Sequence, residues 1–328
     1  MVHNIWVQIA HLITKTGFYS TIPSDFVLII LTMFYVKRNM GPYKYMITCF
    51  AVLGIIFSSV EFIVLPIFHS YNAGFVLFSM SIILDYSKHL THWLMVTFAC
   101  FYSSTISLLA VQFLYRYWAI FDQSKLIYFK SWKVTVWVLY VAFFGASWGL
   151  GMHYFGAAHK YNIGYVKQEV LNFYEQDLTV LPCFLVVVYG PSNQVRWFNC
   201  TYIFIMTAIM ASQYSVMIYC GVRMNSEMHQ KVTQLSISLQ KLHQQIFRVL
   251  VLQVTLPTFF LFAPVVFIIY LPFLDWKVSL PSGIWLSGFT LYPALDAFLV
   301  MWIITDYHKA MKSGLTVRRA LMIKPYQK

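Results

Sequence analysis

Seven apolar stretches, each of about 20 residues, recur from one end of this chain to the other. A helix needs about 20 mainly apolar residues to cross the hydrocarbon core of a bilayer, so the recurrence predicts repeated membrane crossings. The composition agrees, because 59% of the 328 residues are hydrophobic and only 10% are charged, against about 25% in soluble domains. The stretches run over residues 12–36, 45–68, 90–118, 132–155, 201–222, 246–271 and 282–305. We therefore expect an all-α polytopic membrane protein, a seven-transmembrane helix bundle over residues 1–305, followed by a basic tail over 306–328.

Two further apolar runs, residues 73–84 and 178–189, span 12 residues each. They are too short to cross a bilayer as helices. We expect both to lie in loops that pack back on the bundle.

Lysine and arginine are distributed unequally between the two ends of the predicted bundle. Of the 23 basic residues, 17 fall at one end and 6 at the other, which gives net charges of +14 and +1 once the acids are included. Short cytoplasmic loops are enriched in Lys and Arg, so we predict an extracellular N-terminus and a cytoplasmic C-terminus. The basic face suits contact with anionic membrane lipid or an acidic protein surface. Because membrane spans surround it, no nucleic acid partner is expected.

Three carboxylates, Asp25, Glu61 and Asp296, fall within predicted spans. Intramembrane acids are expensive and tend to face the bundle interior. With a rise of about 1.5 Å per residue, Asp25 and Asp296 share a depth, which suggests a hydrogen-bonded or cation-holding switch between the first and last helices. The alternative is that each neutral acid bonds backbone groups freed by Pro23 or Pro293. Glu61 lies nearer the outer end, where it could face a ligand cavity.

The third span closes with Tyr115, Arg116 and Tyr117 at the positive end. An arginine there can extend to water while its aromatic neighbours sit at headgroup level. The functional alternative is that Arg116 faces a cytoplasmic cavity that opens when a ligand shifts the helices. The sequence leaves both open.

Four segments carry a resemblance to a known family: GPYKY (41–45), YRY (115–117), LQKLHQQIFRVLVLQVTLP (239–257) and LYPALD (291–296). Their order and spacing on matching helices resemble the nematode seven-transmembrane chemoreceptors of the Str type, over nearly the whole chain. The resemblance implies a G-protein-coupled receptor for odorants or other chemicals. It also implies a heterotrimeric G protein as partner and the plasma membrane, at the cilium of sensory neurons, as location.

The resemblance also suggests which residues transmit the signal. The prolines of the sixth span, Pro257, Pro264 and Pro272, can bend it so that its inner end swings, and with Asp25, Asp296 and Pro293 we expect Pro257 and Pro264 to form the activation switch. Ordinary tolerance of proline in membrane helices is the alternative. The expected G-protein coupling residues are Tyr115, Arg116, Tyr117, Lys241 and Arg248.

Two positions depart from related patterns. Tyr115 stands where rhodopsin-like receptors have an acid, so no neighbouring carboxylate can hold Arg116, and Asp122 is a distant substitute. Ala297 follows Asp296 where the Str pattern commonly has proline, which leaves the bend of the last span to Pro293.

Aromatic side chains cluster in the outer halves of the predicted spans. Sites between helices are the usual pockets of such folds, so we expect an apolar pocket for a small molecule, with Glu61 and His92 as polar groups. Each aromatic residue could equally serve packing. The expected ligand-binding residues are Glu61, His92, Phe98, Phe101, Tyr102, Tyr202, Phe267, Tyr270, Trp285 and Phe289.

The remaining chemistry-bearing residues give weaker signals. Cys100 and Cys183 could form a disulfide between the third helix and the second outer loop, but sequence cannot establish pairing. His89 and His92 have no third ligand nearby, so neither a metal site nor a cofactor is expected. Catalytic motifs such as GxSxG, HExxH or a Walker loop are absent, so no enzyme is expected.

Two other membrane classes compete with the receptor. A ligand-gated channel of seven spans would place its N-terminus inside, against the charge distribution. A transporter would show paired halves with broken helices at matching positions, and no internal repeat is visible. The receptor remains the preferred interpretation.

Overall fold

The computed structural model describes residues 2–35, 43–81, 87–232 and 237–309. Its architecture is a helical bundle with a small β-sheet at one end. The helices are α1 (Val2–Ile30), α2 (Tyr43–Val64), α3 (Lys88–Phe121), α4 (Val134–Phe155), α5 (Lys160–Tyr174), α6 (Trp197–Val232), α7 (Ile237–Pro257), α8 (Ala263–Tyr270), α9 (Gly283–Ser287) and α10 (Tyr292–Ile303). The strands are β1 (Pro66–Tyr71), β2 (Gly74–Ser79), β3 (Cys183–Val187) and β4 (Ser279–Leu280).

Six helices in the described part of the chain are long and apolar enough to cross a membrane. The sixth predicted crossing is built from pieces instead, because α7 ends at Pro257, a π-helical turn covers Thr258–Phe262, and α8 follows. Proline cannot donate its backbone hydrogen bond and clashes with the preceding turn, which accounts for the wide turn after Pro257. Pro264 lies in the first turn of α8, and Pro272 in a 3₁₀ turn after it. The expected bundle is therefore present, with a discontinuous sixth crossing.

The predicted end of the second span is wrong. Helix α2 stops at Val64, and Pro66–Tyr71 is a strand rather than the end of a helix. Leu65 adopts a positive φ of 45°, and Pro66 disfavours the helical conformation of the residue before it. The chain therefore leaves the helix one turn earlier than hydropathy indicates.

Helix α3 runs through the centre of the bundle, between α2, α4 and α6. Its packing against α4 depends on small residues, which let helices approach closely in membranes. A Cβ on Gly145 would collide with Ser104 Oγ, and one on Gly149 would collide with Cys100 Sγ and lie 2.9 Å from the carbonyl oxygen of Val96. These two glycines set the distance between α3 and α4.

The two short apolar runs, predicted only as loops, contain strands β2 and β3, and residues 82–84 of the first run lie outside the described part of the chain. Strands β1 and β2 make a hairpin, and the sheet has the antiparallel order β3-β2-β1-β4. All three connections at this end of the bundle contribute to it, and we call it the lid. We call this end of the bundle the lid end and the opposite end, where α10 finishes, the tail end.

The lid is covered on both faces, which explains why its strands are apolar without alternation. One face carries Phe68, Phe75 and Phe184 and belongs to the core of the bundle. The other carries Phe78 and Leu185 and packs on α5 and the start of α1. A continuous apolar run of this length fits a two-sided buried strand as well as a helix.

Candidate functional site

A small apolar cavity of about 70 Å³ lies between the lid and the bundle. A second cavity of about 40 Å³ adjoins it under the sheet and shares part of its wall. The shared wall consists of Phe68, Leu77, Met152, Tyr202, Met206 and Ile269. The two spaces form one apolar region that the lid closes from above.

Three of the expected ligand-binding residues line the larger cavity. Phe98 and Tyr102 stand one turn apart on α3, so both point to the same side, and Tyr202 faces them from α6. All three are buried. The structure brings these three together, as a pocket between bundle helices requires.

An aromatic cluster forms the floor of the cavity around Tyr102. Its ring meets the ring of Trp148 edge-on at a centroid distance of 5.2 Å, that of Phe262 at 5.7 Å and that of Phe289 at 4.9 Å. Such edge-to-face contacts contribute about 0.5–1.5 kcal/mol each beyond area burial. Phe289 thus supports the wall from behind.

The other expected aromatic residues do not line either cavity. Phe267 and Trp285 are about half exposed on the outside of the bundle, and Phe101 packs on the core away from the cavity. The hydroxyl of Tyr270 is hydrogen bonded to Thr207 at the rim between α6 and α8. Of these four, Phe101 and Tyr270 contact other parts of the bundle, whereas Phe267 and Trp285 face outward.

His92 and Glu61, the expected polar groups of the pocket, also lie outside its wall. The Nε2 atom of His92 is 2.8 Å from Nδ1 of His153 on α4, and its ring lies 4.8 Å from that of Phe184 in the lid. Glu61 is completely buried beside Thr290, and neither carboxyl oxygen has a partner with hydrogen-bond geometry among the described residues. The cavity wall is therefore almost wholly apolar.

Sequence reasoning missed most of the wall, since it named only Phe98, Tyr102 and Tyr202. Trp148 and Met152 on α4 are four residues apart and share a face, a spacing that is visible in sequence but not distinctive. Phe68 and Leu77 come from the lid, and the short apolar runs were the only available signal for it. Which residues a lid places over a bundle depends on contacts distant in sequence.

The buried acids Asp25 and Asp296 lie on packed helices, α1 and α10. They are 1% and 4% exposed, and their carboxyl groups lie near each other. Gly54 of α2 makes room for the pair, because a Cβ there would lie 2.8 Å from Asp25 Oδ2 and 2.7 Å from Pro293 Cβ. Gln253 of α7 lies beside Asp296. Within the described ranges, no basic side chain pairs with either acid.

Arg116 is buried inside the bundle at the tail end. Only 6% of its surface is exposed, and its guanidinium carbon lies 3.4 Å from the centroid of the Tyr43 ring and 5.7 Å from that of Tyr115. Tyr307, fully buried and hydrogen bonded to Thr32 at 2.9 Å, lies nearby. A cation over an aromatic face is favoured by up to about 2 kcal/mol when desolvated. Arg116 is thus enclosed by aromatic rings and does not extend to water.

The neighbours of Arg116 face different ways. Tyr115 stacks on Tyr43 at 5.8 Å, whereas the Tyr117 ring lies 5.8 Å from that of Tyr219 on α6. Asp122 pairs with Lys125 at 3.1 Å. Hydrogen bonds from Ser124 and Lys125 hold the pKa of this carboxyl below its usual range. Asp122 therefore does not substitute for the acid that Tyr115 replaces.

Two further expected coupling residues, Lys241 and Arg248, lie on α7 with exposed side chains. Lys241 is near the start of the helix, and Arg248 is two turns further along it. Neither contacts Arg116 directly, whereas His243 of α7 is close to it.

The possible Cys100–Cys183 disulfide is not formed. Cys100 and Cys183 are both free thiols. Cys100 packs against Gly149 on α4, while the thiol of Cys183 points to the carbonyl oxygen of Leu178 at 3.9 Å, on the α5 face of the lid. Burial raises the pKa of the Cys183 thiol to about 12. The two residues belong to separate cores, so the geometry of a bridge is not met.

A polar cluster fastens the lid to α5. His69 of β1 is fully buried, and its Nδ1 lies 3.0 Å from the hydroxyl of Tyr174. Ser279 of β4 donates to Glu169 at 2.6 Å and lies 3.4 Å from His69 Nε2. Burial raises the pKa of the Tyr174 hydroxyl above its usual value, so that it remains a donor. Neither this cluster nor any other part of the described chain brings together three or more His, Cys, Asp or Glu side chains that could hold a metal ion.

Comparison with known proteins gives consistent matches over most of the chain. Residues 10–312 match the family described as serpentine type 7TM GPCR chemoreceptor Str. G-protein coupled receptor str-33 of Caenorhabditis elegans is 35% identical over 310 residues, 93% of this chain and 90% of that protein. Serpentine receptor class r-10 of the same species is 28% identical over 280 residues, 84% of this chain and 81% of that protein.

Among solved structures, squid rhodopsin matches with a TM-score of 0.56 over 99% of this chain and 84% of that one. At 12% sequence identity this likeness supports the fold alone. It confirms the seven-transmembrane bundle expected from hydropathy.

Proposed function

Because the chain belongs to the Str family of serpentine seven-transmembrane chemoreceptors, a multi-pass membrane family of G-protein-coupled receptors and not of enzymes, we propose that it detects a small apolar molecule beneath the lid. The signal passes to a heterotrimeric G protein at the tail end. The observation that carries the proposal is the position of two sites on one helix. Helix α3 contributes Phe98 and Tyr102 to the cavity and Arg116 to the aromatic enclosure.

The chemistry of the cavity sets the class of ligand. Its wall is apolar except for the hydroxyls of Tyr102, Tyr202 and Ser282. A water molecule needs about 10–15 Å³ of such space, so about 70 Å³ with a 40 Å³ neighbour fits a compact molecule of a few heavy atoms. An uncharged volatile with one weakly polar group matches this wall, whereas a charged ligand would lose its hydration without a counter-ion.

The charge distribution supports the orientation. The lid end is extracellular and the tail end, with 17 of the 23 basic residues, is cytoplasmic. In a sensory neuron this places the lid in contact with the external medium at the cilium membrane.

Signal transfer uses the discontinuity in the sixth crossing. The π-helical turn after Pro257 separates α7 from α8, and Phe262 at its end contacts both Tyr102 and Phe289 on the cavity floor. A ligand that displaces the Tyr102 ring moves Phe262, and α7 can then swing about the turn. The opposite end of α7 carries His243, close to Arg116.

The tail end then offers the coupling surface. When α7 moves away, Arg116 and Tyr115 become accessible to the G protein, next to Tyr117 and the already exposed Lys241. The pair Asp25 and Asp296, with Pro293 and Pro264, adjusts the packing of α1, α10 and α8 in the same transition.

The experiment is a panel of small apolar volatiles applied to cells that express the receptor, with and without a co-expressed G protein. Met206→Trp should fill the cavity and reduce the response at least about ten-fold, which corresponds to about 1.4 kcal/mol. Ile218→Trp on the exposed face of the same helix is the matched control and should respond normally. Arg116→Ala should abolish G-protein activation at equal surface expression. A current that persists without G protein would instead assign the chain to the ligand-gated channels.

A further inference from the structure

A groove of about 860 Å³ opens on the outside of the bundle near the tail end. Helices α6, α7 and α10 form its walls, and no residue of α3 contributes. It is therefore distinct from the space around Arg116. Its lining combines apolar side chains with the polar groups of Asn225, Ser226 and Arg248.

The groove faces the surrounding lipid. On α7, Arg248 and Val251 are exposed, while Val249 and Leu250 between them are buried at 1% and 0%. Val222 of α6 and Trp302 of α10 are also largely exposed. An open cleft between membrane helices with an apolar wall matches the shape and chemistry of an acyl chain.

The depth of Arg248 corresponds to the lipid headgroups. Gln245, three residues before it, is hydrogen bonded to Thr305 at 2.5 Å, just past the end of α10 at Ile303. Arg248 stands about 4.5 Å further into the bundle at about 1.5 Å per residue. Trp302 lies at the same end, and tryptophan is typical of the membrane interface.

Arg248 is without a partner in the part of the chain that the structure describes. Among the described residues, it takes part in no ion pair or hydrogen bond. Arg223 of α6, also near the tail end, differs because it pairs with Glu227. A guanidinium forms strong bidentate hydrogen bonds with phosphate, and Asn225 and Ser226 across the groove supply further donors.

We propose that this groove binds one anionic phospholipid of the cytoplasmic leaflet. Arg248, Asn225 and Ser226 hold the phosphate, and Val222, Val251 and Trp302 contact the acyl chain. Basic pockets between transmembrane helices on the cytoplasmic side bind acidic headgroups. The assignment rests on the proposed orientation, and it gives Arg248 a role other than contact with a G protein.

A bound lipid would affect activation, because it connects the helix that swings to its two neighbours. Helix α7 cannot move away from α6 and α10 without disturbing contacts to the same lipid molecule. The lipid therefore favours the resting arrangement.

The test is native mass spectrometry of the purified full chain in neutral detergent, titrated with phosphatidylserine or phosphatidylcholine. Arg248→Gln should weaken binding of the first phosphatidylserine about five-fold. Val251→Trp, which fills the acyl portion, should also weaken it. The matched controls are Arg223→Gln, outside the groove, and Val138→Trp, on the exposed face of α4; both should bind as the parent protein does.

Equal loss in Arg248→Gln and Arg223→Gln would overturn the proposal, as would equal binding of phosphatidylcholine and phosphatidylserine by the parent protein. The assay contains neither odorant nor G protein. A receptor that fails to signal can therefore still support the lipid site, and a signalling receptor can still refute it.

Discussion

The guanidinium carbon of Arg116 lies 3.4 Å from the centre of the Tyr43 ring. This contact joins the first residue of α2 to the last turns of α3. It explains how the chain keeps an arginine without a neighbouring acid, because Tyr115 occupies that position and stacks on Tyr43. The Tyr43 ring thus contacts Arg116 where rhodopsin-like receptors have a carboxylate.

Replacing Tyr43 should test this contact. Tyr43→Leu removes the ring and with it a cation–π contact of up to about 2 kcal/mol, so we expect a clear fall in thermal stability in detergent. Tyr43→Phe keeps the ring and should retain most of it. Tyr45→Leu, at an exposed tyrosine two residues on, is the control. Equal stability of Tyr43→Leu and Tyr45→Leu would contradict the role of the ring.

The approach of α3 and α4 predicts an asymmetry between two glycines. Gly149→Ala places a Cβ against Cys100 Sγ and 2.9 Å from the Val96 carbonyl oxygen, and overpacking of this kind costs about 1–3 kcal/mol. Gly164→Ala in α5 meets no atom within 4 Å and should stabilise by about 0.5–1 kcal/mol. Thermal unfolding of both variants measures the difference. The same sign for both would show that α3 and α4 are not closely packed at Gly149.

The buried acids should destabilise the resting bundle. Asp25→Asn with Asp296→Asn replaces two buried carboxyl groups, which no basic side chain of the described residues neutralises, with amides of similar size, and we expect a higher melting temperature at neutral pH. If the acids hold a cation instead, the double variant should be less stable in its presence. Melting curves with and without sodium distinguish the two results. Asp306→Asn, outside the crossings, should change neither.

Cys183 should resist alkylation in the folded protein. Burial raises its pKa to about 12, so the reactive thiolate is almost absent at neutral pH and increases only as the pH approaches that value. Maleimide should label it in denaturant but not before. Val180→Cys, at an exposed position three residues before Cys183, should be labelled at once. A peptide linking Cys100 to Cys183 in the mass spectrum would contradict the free thiols.

The polar cluster should control how the lid opens. Tyr174→Phe removes the hydroxyl that lies 3.0 Å from His69 Nδ1, and the loss of one such hydrogen bond costs about 0.5–1.5 kcal/mol. Hydrogen–deuterium exchange in β1 and β2 should become faster, while exchange in α3 should not change. Tyr154→Phe, at an exposed tyrosine of α4, should leave exchange in both elements unaltered. Unchanged exchange in Tyr174→Phe would show that apolar packing alone holds the sheet.

Apolar stretches in the sequence were enough to predict the seven-transmembrane helix bundle, and the lysines and arginines were enough to predict that one end is basic. Both depend only on local composition, because a crossing needs a run of apolar residues and cytoplasmic loops are enriched in Lys and Arg. The motifs that resemble Str receptors identified the family for the same reason, since each is a short segment of fixed composition.

How the segments face one another is not encoded in any one of them and is visible only in the folded protein. The lid unites strands from three separate connections, and a short apolar run does not reveal whether it becomes a strand or a buried loop. Likewise, the sequence allows Arg116 either to extend to water or to turn inward. In the folded protein it turns inward, because its guanidinium lies against the ring of Tyr43 on the neighbouring helix α2. Hydropathy acts on each segment alone, whereas cavity walls, buried pairs and glycine contacts arise from packing between residues far apart in sequence.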